Sequence, residues 1–386
     1  MATELQIMTG GQAVAEAMRQ IDPDVVPVYP ITPHTPIIQG FAAFVAQGRA
    51  HGELVNVESE HSAMSAAIGS ALAGARTITA TSSQGLALMA EVVYIAASMR
   101  APIVMAVGNR ALSGPINIHC DHSDSMLIRD SGVIQLFAED AQEAYDTMIY
   151  ATTLAEHPDV LLPVFVCQDG FTITHSAEPV ILLADEVVCE FMHPYHVEAS
   201  VLDIAHPSSQ GLFAMPDYYF ELRHQQLAAM HAALDAFETI AQEFEGISGR
   251  SYRALEGYRV DDAEHVIVCL GSTGGTVKDV VDELRLEGAR VGVVEVRSFR
   301  PFPRERVRDL LDVVQTVSVL DRADSPGGAP PLFADVAAAG AGAGCELRSF
   351  VYGLGGRDLH PAEIRAVFEG EAAPGYLSLR GAPCPV

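Results

Sequence analysis

What most constrains this chain is a repeated alternation of short, β-branched apolar runs with longer helix-like stretches. Between residue 1 and about residue 175 the strand candidates are VVPVYP (25–30), LVNVE (54–58), TITATSS (77–83), PIVMAVGNR (102–110) and LLPVFVC (161–167). Between them lie GGQAVAEAMRQ, PIIQGFAAFVAQ, HSAMSAAIGSALAGA, GLALMAEVVYIAAS and AQEAYDTMIYATTLAE. Strands alternating with helices imply an α/β fold built on a mostly parallel sheet with both faces covered. The strand candidates are almost continuously apolar, as doubly buried strands must be.

The rhythm breaks between 176 and about 260. Prolines and histidines crowd 178–216, which reads as an irregular connector. A long helical pattern follows at 218–244, YYFELRHQQLAAMHAALDAFETIAQEF, able to pack across a domain boundary. From 261 to 386 the alternation resumes. HVIVCLG (265–271), RVGVVEV (290–296), TVSVLD (316–321) and ELRSFVYGLGG (346–356) read as strands, with TGGTVKDVVDELRLEG and RERVRDLLDVV as helices. The Gly-Ala-rich 326–344 reads as a small-residue helix. Three regions are therefore expected: a first α/β domain at 1–175, a connector with a long helix at 176–260, and a smaller α/β domain at 261–386. No short-period repeat is present.

The formal net charge is −27, and Lys278 is the only lysine. Such a chain repels phosphate backbones and anionic lipid, which argues against nucleic-acid and membrane-surface partners. Hydrophobic residues make up 49% of the chain, enough for a sizeable core. No apolar run is long enough to span a bilayer. The N-terminal stretch lacks the basic and apolar regions of a signal peptide. Cys120, Cys167, Cys189, Cys269, Cys345 and Cys384 form no C-x-x-C pair and no iron–sulfur spacing. They read as reduced structural thiols of a cytoplasmic protein.

Open α/β sheets bind ligands at the carboxyl ends of their strands, and four such ends here carry polar groups. In YPITPHTP (29–36), Pro30 and Pro33 stiffen the backbone around Thr32, whose hydroxyl can meet a carbonyl or carboxylate. An ordinary strand-to-helix turn fits equally well. In VNVESEHSAMSAAIG (55–69), Ser59 is a candidate cap, and Glu58 and Glu60 sit at a helix N-terminus, which favours carboxylates. Taken alone, such a carboxylate is more often a solvated capping residue. TSSQGLALM (81–89) adds Ser82, Ser83, Gln84 and the permissive Gly85. GNRAL (108–112) places Arg110 at the same edge as Thr32 and Glu60. A lone arginine there usually faces solvent, yet it can hold a carboxylate bidentately.

Three other segments invite a chemical reading. HCDHSDS (119–125) has metal-ligand residue types but is too dense for a usual zinc spacing, so a contact loop is the default. GSTGGT (271–276) has neither a Walker lysine nor G-x-G-x-x-G spacing, and it reads as a tight turn, as does GLGGRD (353–358).

Taken in order, YPITPHT, VESEHSAMSAAIGSALAGARTITATSSQGLALM, PIVMAVGNRALSGPINIHCDHSDSM and LLPVFVCQDGF closely resemble the alpha subunit of pyruvate:ferredoxin oxidoreductase and its relatives. PDYYFELR (216–223), VRSFRPFP (296–303) and VYGLGGRD (351–358) extend the resemblance over nearly the whole chain. It implies a thiamine-type pyrimidine-binding domain followed by a transketolase-C-terminal-like domain. It also implies thiamine diphosphate shared with a beta subunit, whose marks are a GDG motif, bound magnesium and an iron–sulfur cluster. No GDG occurs here. Gamma- and delta-type subunits, coenzyme A and a ferredoxin or related acceptor complete the implied assembly.

Carried over residue by residue, Glu60 of SEH matches the glutamate that hydrogen-bonds the aminopyrimidine ring and sets its imino tautomer. Thr32 and Arg110 match substrate-contacting positions, Arg110 for the 2-oxoacid carboxylate and Thr32 for its polar end. Pro30 matches a position whose backbone lies near the cofactor. His34 stands where a small hydroxyl residue is more usual. The implied activity is CoA-dependent oxidative decarboxylation of a 2-oxoacid, pyruvate first, to acyl-CoA and CO2. Action on 2-oxoglutarate, a branched-chain acid, an aryl-glyoxylate or oxalate is the alternative, as is a non-catalytic assembly role.

Overall fold

The computed structural model describes residues 3–195, 197 and 200–381, so Cys384 lies outside the described residues. The chain opens with β1 (Thr3–Thr9) and α1 (Gly10–Ile21). It continues through β2 (Val25–Val28), α2 (Thr35–Ala46), β3 (Glu53–Asn56), α3 (Glu60–Ala73), β4 (Thr77–Thr81), α4 (Ser83–Ser98) and β5 (Ile103–Asn109). Next come α5 (Ser123–Leu127), β6 (Ile134–Phe137), α6 (Ala141–Glu156), β7 (Val164–Asp169), β8 (Ala177–Leu183), α7 (Asp185–Met192) and α8 (Pro216–Ser248). The remainder runs β9 (Leu255–Tyr258), β10 (His265–Cys269), α9 (Thr273–Leu286), β11 (Val291–Val296), β12 (Ser298–Arg300), α10 (Arg304–Val313), β13 (Thr316–Asp321), α11 (Pro331–Ala339), β14 (Glu346–Val351), α12 (Pro361–Phe368) and β15 (Gly375–Tyr376).

A seven-stranded sheet has the order β12-β6-β7-β5-β4-β2-β3, parallel throughout except at β12. A six-stranded sheet has the order β15-β14-β13-β10-β11-β9, parallel except at β9. β4, β5 and β7 are buried at every position, which is why their sequences read as runs dominated by β-branched and apolar residues. Several strands are shorter than those runs. β2 ends at Val28, ahead of Pro30, and β7 starts at Val164, after Pro163.

Two features differ from the sequence expectation. The stretch 178–216, read as irregular, contains most of β8 and all of α7, and β8 pairs antiparallel with β1, Leu5 opposite Ile181. This ribbon leaves Leu5 and Ile7 exposed, so the alternation that marks a half-buried strand is weak. The second feature is β12, which lies far along the chain yet forms the edge of the N-terminal sheet beside β6. Its Phe299 is fully buried and meets Phe137 edge-on at 6.2 Å. A three-residue strand has too few positions to show a period.

α8 begins with Pro216 at its first turn and ends at Gly249, whose φ of 71° closes the helix. It buries Ala229, Ala233, Phe237, Ile240 and Phe244, and both phenylalanines meet Tyr150 of α6 at 5.7 Å. Burying each aromatic ring contributes about 1.5–3 kcal/mol, so α8 is held firmly against α6, while its Glu238 pairs with Arg306 of α10 at 2.5 Å. The two sheets share one apolar core that runs from Met64, Leu86 and Phe137 to Val266, Val294 and Val317. Polar ties reinforce it. Arg297 is buried against Glu143, and Lys278 reaches Glu139 at 2.7 Å and Glu295 at 3.0 Å.

Candidate active site

The carboxyl ends of β5, β4, β2 and β3 lie side by side, which brings the sequence candidates to one edge. Glu60 opens α3. Ser59 caps the helix, its hydroxyl accepting the Ser62 N–H at 3.2 Å. The Glu60 side chain is not a solvated capping group, because the residue is only 7% exposed. It lies against the start of α4. A Cβ on Gly85 would sit 2.7 Å from Glu60 Oε1 and 2.5 Å from Thr81 Oγ1, so only glycine permits this approach. The neighbouring hydrogen bonds belong to Ser59, Ser62 and Glu58, and none from a described residue reaches the Glu60 carboxylate. Thr81 Oγ1 and Ser82 Oγ are buried and without a partner among the described residues. Buried polar groups left unpaired cost free energy, so this cluster points to a ligand.

Arg110 follows β5 and is also 7% exposed. Its Nε donates to Asn117 O at 2.8 Å and its Nη1 to Thr32 O at 3.1 Å. The guanidinium is thus braced by two backbone carbonyls, and its Nη2 makes no hydrogen bond to a described residue. Burial lowers the pKa of Arg110, while the charge of Asp124 opposes that shift. Thr32 meets Arg110 through its carbonyl, and both Thr32 and Pro30 are exposed on this edge.

Sequence reasoning passed over the residue that ties these ends together. Asp124 has no exposed surface. Its Oδ2 accepts the N–H of Ser83 at 2.9 Å and of Arg110 at 3.0 Å, and its Oδ1 accepts Asn109 Nδ2 at 2.9 Å and the Ser125 N–H at 2.8 Å. Ser83 has a φ of 48°, a left-handed geometry that a non-glycine residue adopts only when held. Asp124 and the bond from Ser83 Oγ to Ala111 O hold it there. Burial pushes the Asp124 pKa up to about 6, against these four donors. HCDHSDS did hint at Asp124, but a string of polar residues does not reveal which one is buried.

The same segment holds His122 and Cys120, which approach Asp169 of β7 closely enough to resemble a metal-ligand set. The Asp169 oxygens are already engaged. Oδ1 pairs with His122 Nε2 at 2.7 Å, and Oδ2 accepts Arg322 Nη1 at 2.7 Å and Ser272 Oγ at 2.5 Å. Burial disfavours the Asp169 charge, but Arg322 and His122 outweigh it and hold the carboxyl well below the usual range. Arg322 stands where a cation would act, so the cluster is a latch between the two sheets.

The residues present fit an aminopyrimidine: the Glu60 carboxylate takes no hydrogen bond from a described residue, and the buried Thr81 and Ser82 hydroxyls beside it are unpartnered among the described residues. Residues 16–242 match the family model described as pyruvate flavodoxin/ferredoxin oxidoreductase, thiamine diP-binding. Residues 263–364 match pyruvate:ferredoxin oxidoreductase core domain II. The chain is 57% identical to the pyruvate synthase subunit PorA of Thermotoga maritima over 364 residues, covering 94% of this chain and 93% of that one. Identity to PorA of Methanocaldococcus jannaschii is 46%, with 94% of each covered. It is 40% to the ketoisovalerate oxidoreductase subunit VorA of Pyrococcus abyssi, with 94% and 92% covered.

Among solved structures, 2-oxoglutarate:ferredoxin oxidoreductase from Magnetococcus marinus superposes with a TM-score of 0.74 at 21% identity. That match covers 95% of this chain but 65% of the other, so this chain spans less than two thirds of its length. A split-gene transketolase superposes with a TM-score of 0.55 at 14% identity, covering 94% of this chain and 95% of that one. At such identities these likenesses speak to the fold alone. Fold and family model together define the class as a thiamine-diphosphate-binding α/β protein. The chain belongs to the pyruvate:ferredoxin oxidoreductase family. No helix among the described residues is long and apolar enough to cross a membrane.

Proposed function

We propose that this chain is the pyrimidine-binding subunit of a pyruvate:ferredoxin oxidoreductase, which converts pyruvate and coenzyme A to acetyl-CoA and CO2 while reducing ferredoxin. The observation that carries the reading is Glu60 at the start of α3, a residue only 7% exposed whose carboxylate takes no hydrogen bond from a described residue, in a chain of this family. Thiamine diphosphate, when bound, supplies the nucleophilic carbon for the 2-oxo group. Glu60 holds the pyrimidine ring in its imino tautomer. Nη2 of Arg110 holds the substrate carboxylate, Thr32 meets the polar end of the substrate, and Pro30 contributes backbone beside the cofactor. The PorA relatives are 42–57% identical and the VorA relative 40%, which favours pyruvate over branched-chain acids.

The other half of the site belongs to partner chains. This sequence has no GDG motif and no paired cysteines. The diphosphate, its magnesium and the iron–sulfur wiring are therefore assigned to a beta-type subunit, with gamma- and delta-type chains completing a cytoplasmic assembly. The test is to purify the chain alone and co-expressed with its partners. Thiamine diphosphate, magnesium, coenzyme A and a dye acceptor are then supplied with pyruvate, 2-oxoglutarate or 3-methyl-2-oxobutanoate. Activity is expected only in the assembly and highest with pyruvate. Turnover by the lone chain, or a preference for another acid, would refute the corresponding part of the reading.

A further inference from the structure

Arg110 does not stand on its own element alone. Its Nε donates to the carbonyl of Asn117 at 2.8 Å, and Asn117 is the half-buried point of an otherwise exposed stretch, 113–119. Two contacts fix Asn117. Its Oδ1 accepts the His119 N–H at 2.6 Å, which closes the local turn. Its Nδ2 donates to the carbonyl of Gly355 at 2.9 Å, 238 residues further along the chain. Gly355 belongs to the GLGG turn at the end of β14. Its N–H donates in return to Asp121 Oδ2 at 3.1 Å.

The turn is shaped for this contact. Gly353, Gly355 and Gly356 have φ values of 65°, 62° and 81°, a region that costs residues with a side chain free energy. Space is equally restrictive. A Cβ on Gly355 would sit 2.5 Å from Asn117 Nδ2, and one on Gly356 would sit 2.3 Å from His119 Cβ. The glycines are therefore required by the loop they receive and not only by the turn they make.

We propose that the GLGG turn of the C-terminal sheet is a positioning element for Arg110, acting through Asn117. The turn fixes Asn117, the Asn117 carbonyl fixes the Arg110 guanidinium at Nε, and the Nη2 end is thereby aimed at the substrate carboxylate. This rests on the reading of Arg110 as the carboxylate anchor. It gives the second sheet a part in substrate binding through Asn117.

The test is a double-mutant cycle in the co-purified assembly, with KM for pyruvate, KM for coenzyme A and kcat read for Asn117→Ala, Gly355→Ala, the double variant and Arg110→Ala. One lost hydrogen bond corresponds to about a two- to tenfold effect. Each single change at 117 or 355 is expected to raise KM for pyruvate by about that factor and to leave KM for coenzyme A unchanged. Gly355→Ala is expected to add no further rise in pyruvate KM in the Asn117→Ala background, because the contact through which the turn reaches Arg110 is already gone, while the strain of alanine at a φ of 62° falls on stability, read separately by denaturant unfolding. If Gly355→Ala prevents assembly, Asn117→Ala decides by the same KM split. A raised pyruvate KM in Arg110→Ala with none in Asn117→Ala overturns the positioning role alone. Additive effects in the cycle overturn it as well. An unchanged KM in Arg110→Ala overturns the anchor reading, and this proposal falls with it.

Discussion

Asp124 Oδ2 accepts the backbone N–H of Arg110 at 3.0 Å from a position with no exposed surface. The same oxygen accepts the Ser83 N–H at 2.9 Å, so one atom pins the ends of β4 and β5 together. Asn at this position would present an amide N–H₂ to groups that are all donors. A hydrogen bond to a charged acceptor contributes roughly 1.5–3 kcal/mol. Asp124→Asn is therefore expected to lower stability by about 1–3 kcal/mol and to raise KM for pyruvate, as Ser83 relaxes from its left-handed geometry. Denaturant unfolding and steady-state kinetics check this together. Unchanged values in both would mean that the strand ends are held by the sheet alone.

Glu60→Gln removes the ionisable group but keeps the shape of the side chain beside Gly85. Assembly should survive. Exchange of the thiazolium proton of bound cofactor in the reconstituted complex should slow by roughly 10²–10⁴, the usual range for a positioned acid–base group. Exchange at the wild-type rate would move the role elsewhere. Glu58 is the nearest other carboxylate in sequence, but it is exposed and bonded to Ser62 Oγ at 2.6 Å, a poorer setting for the task.

His34 offers a pH test of folding. It is fully buried, and neither ring nitrogen has a partner among the described residues. Burial pulls its pKa from 6.5 down to about 4. Between those values the unfolded chain binds a proton that the folded chain does not, so stability rises with pH in this window. The contribution is complete above pH 6.5 and falls away as pH drops toward 4, by about 3 kcal/mol at roughly 1.36 kcal/mol per unit. The melting temperature of His34→Ser should fall less steeply than that of the wild type over this range. Equal slopes would assign the titration to His265, which burial also brings to about 4.

Much of the fold was legible because its signals are local. The β-branched and apolar runs of β4, β5 and β7 are visible in sequence because these strands are buried on both faces, and α8 because its apolar residues recur at helical spacing on one face. Proline, serine and glycine at 30, 82 and 85 marked the strand ends. β12 was not legible, because its partner β6 lies more than 150 residues earlier and three residues carry no period. The site divides the same way. Glu60, Thr32 and Arg110 stood at strand ends and could be named. Asp124 and Asn117 could not, because their roles depend on which oxygen faces which distant N–H, and GLGG looked like any turn until Asn117 was seated in it.

Arg110 carries the sharpest kinetic expectation. A net charge of −27 sets an unfavourable field for a 2-oxoacid anion, so a local cation must offset it at the site. Lys278 is excluded by its place between Glu139 and Glu295, and Arg322 by its pairing with Asp169. Arg110 is braced at Nε and Nη1 by carbonyls, which carry no net charge, and it forms no ion pair with a described residue. A charge-assisted bond to a carboxylate is worth roughly 1.5–3 kcal/mol, and about 1.4 kcal/mol is a factor of ten. Arg110→Ala should therefore lower kcat/KM at least about tenfold, mainly through KM for pyruvate, with cofactor affinity little changed. Arg110→Lys should recover only part, because an ammonium cannot bond Asn117 O and Thr32 O while also presenting a planar end to the substrate. Full recovery by lysine would reduce the role to charge alone. An unchanged KM in Arg110→Ala would make this a bracing residue of the 110–122 loop and assign the carboxylate anchor to the partner subunit.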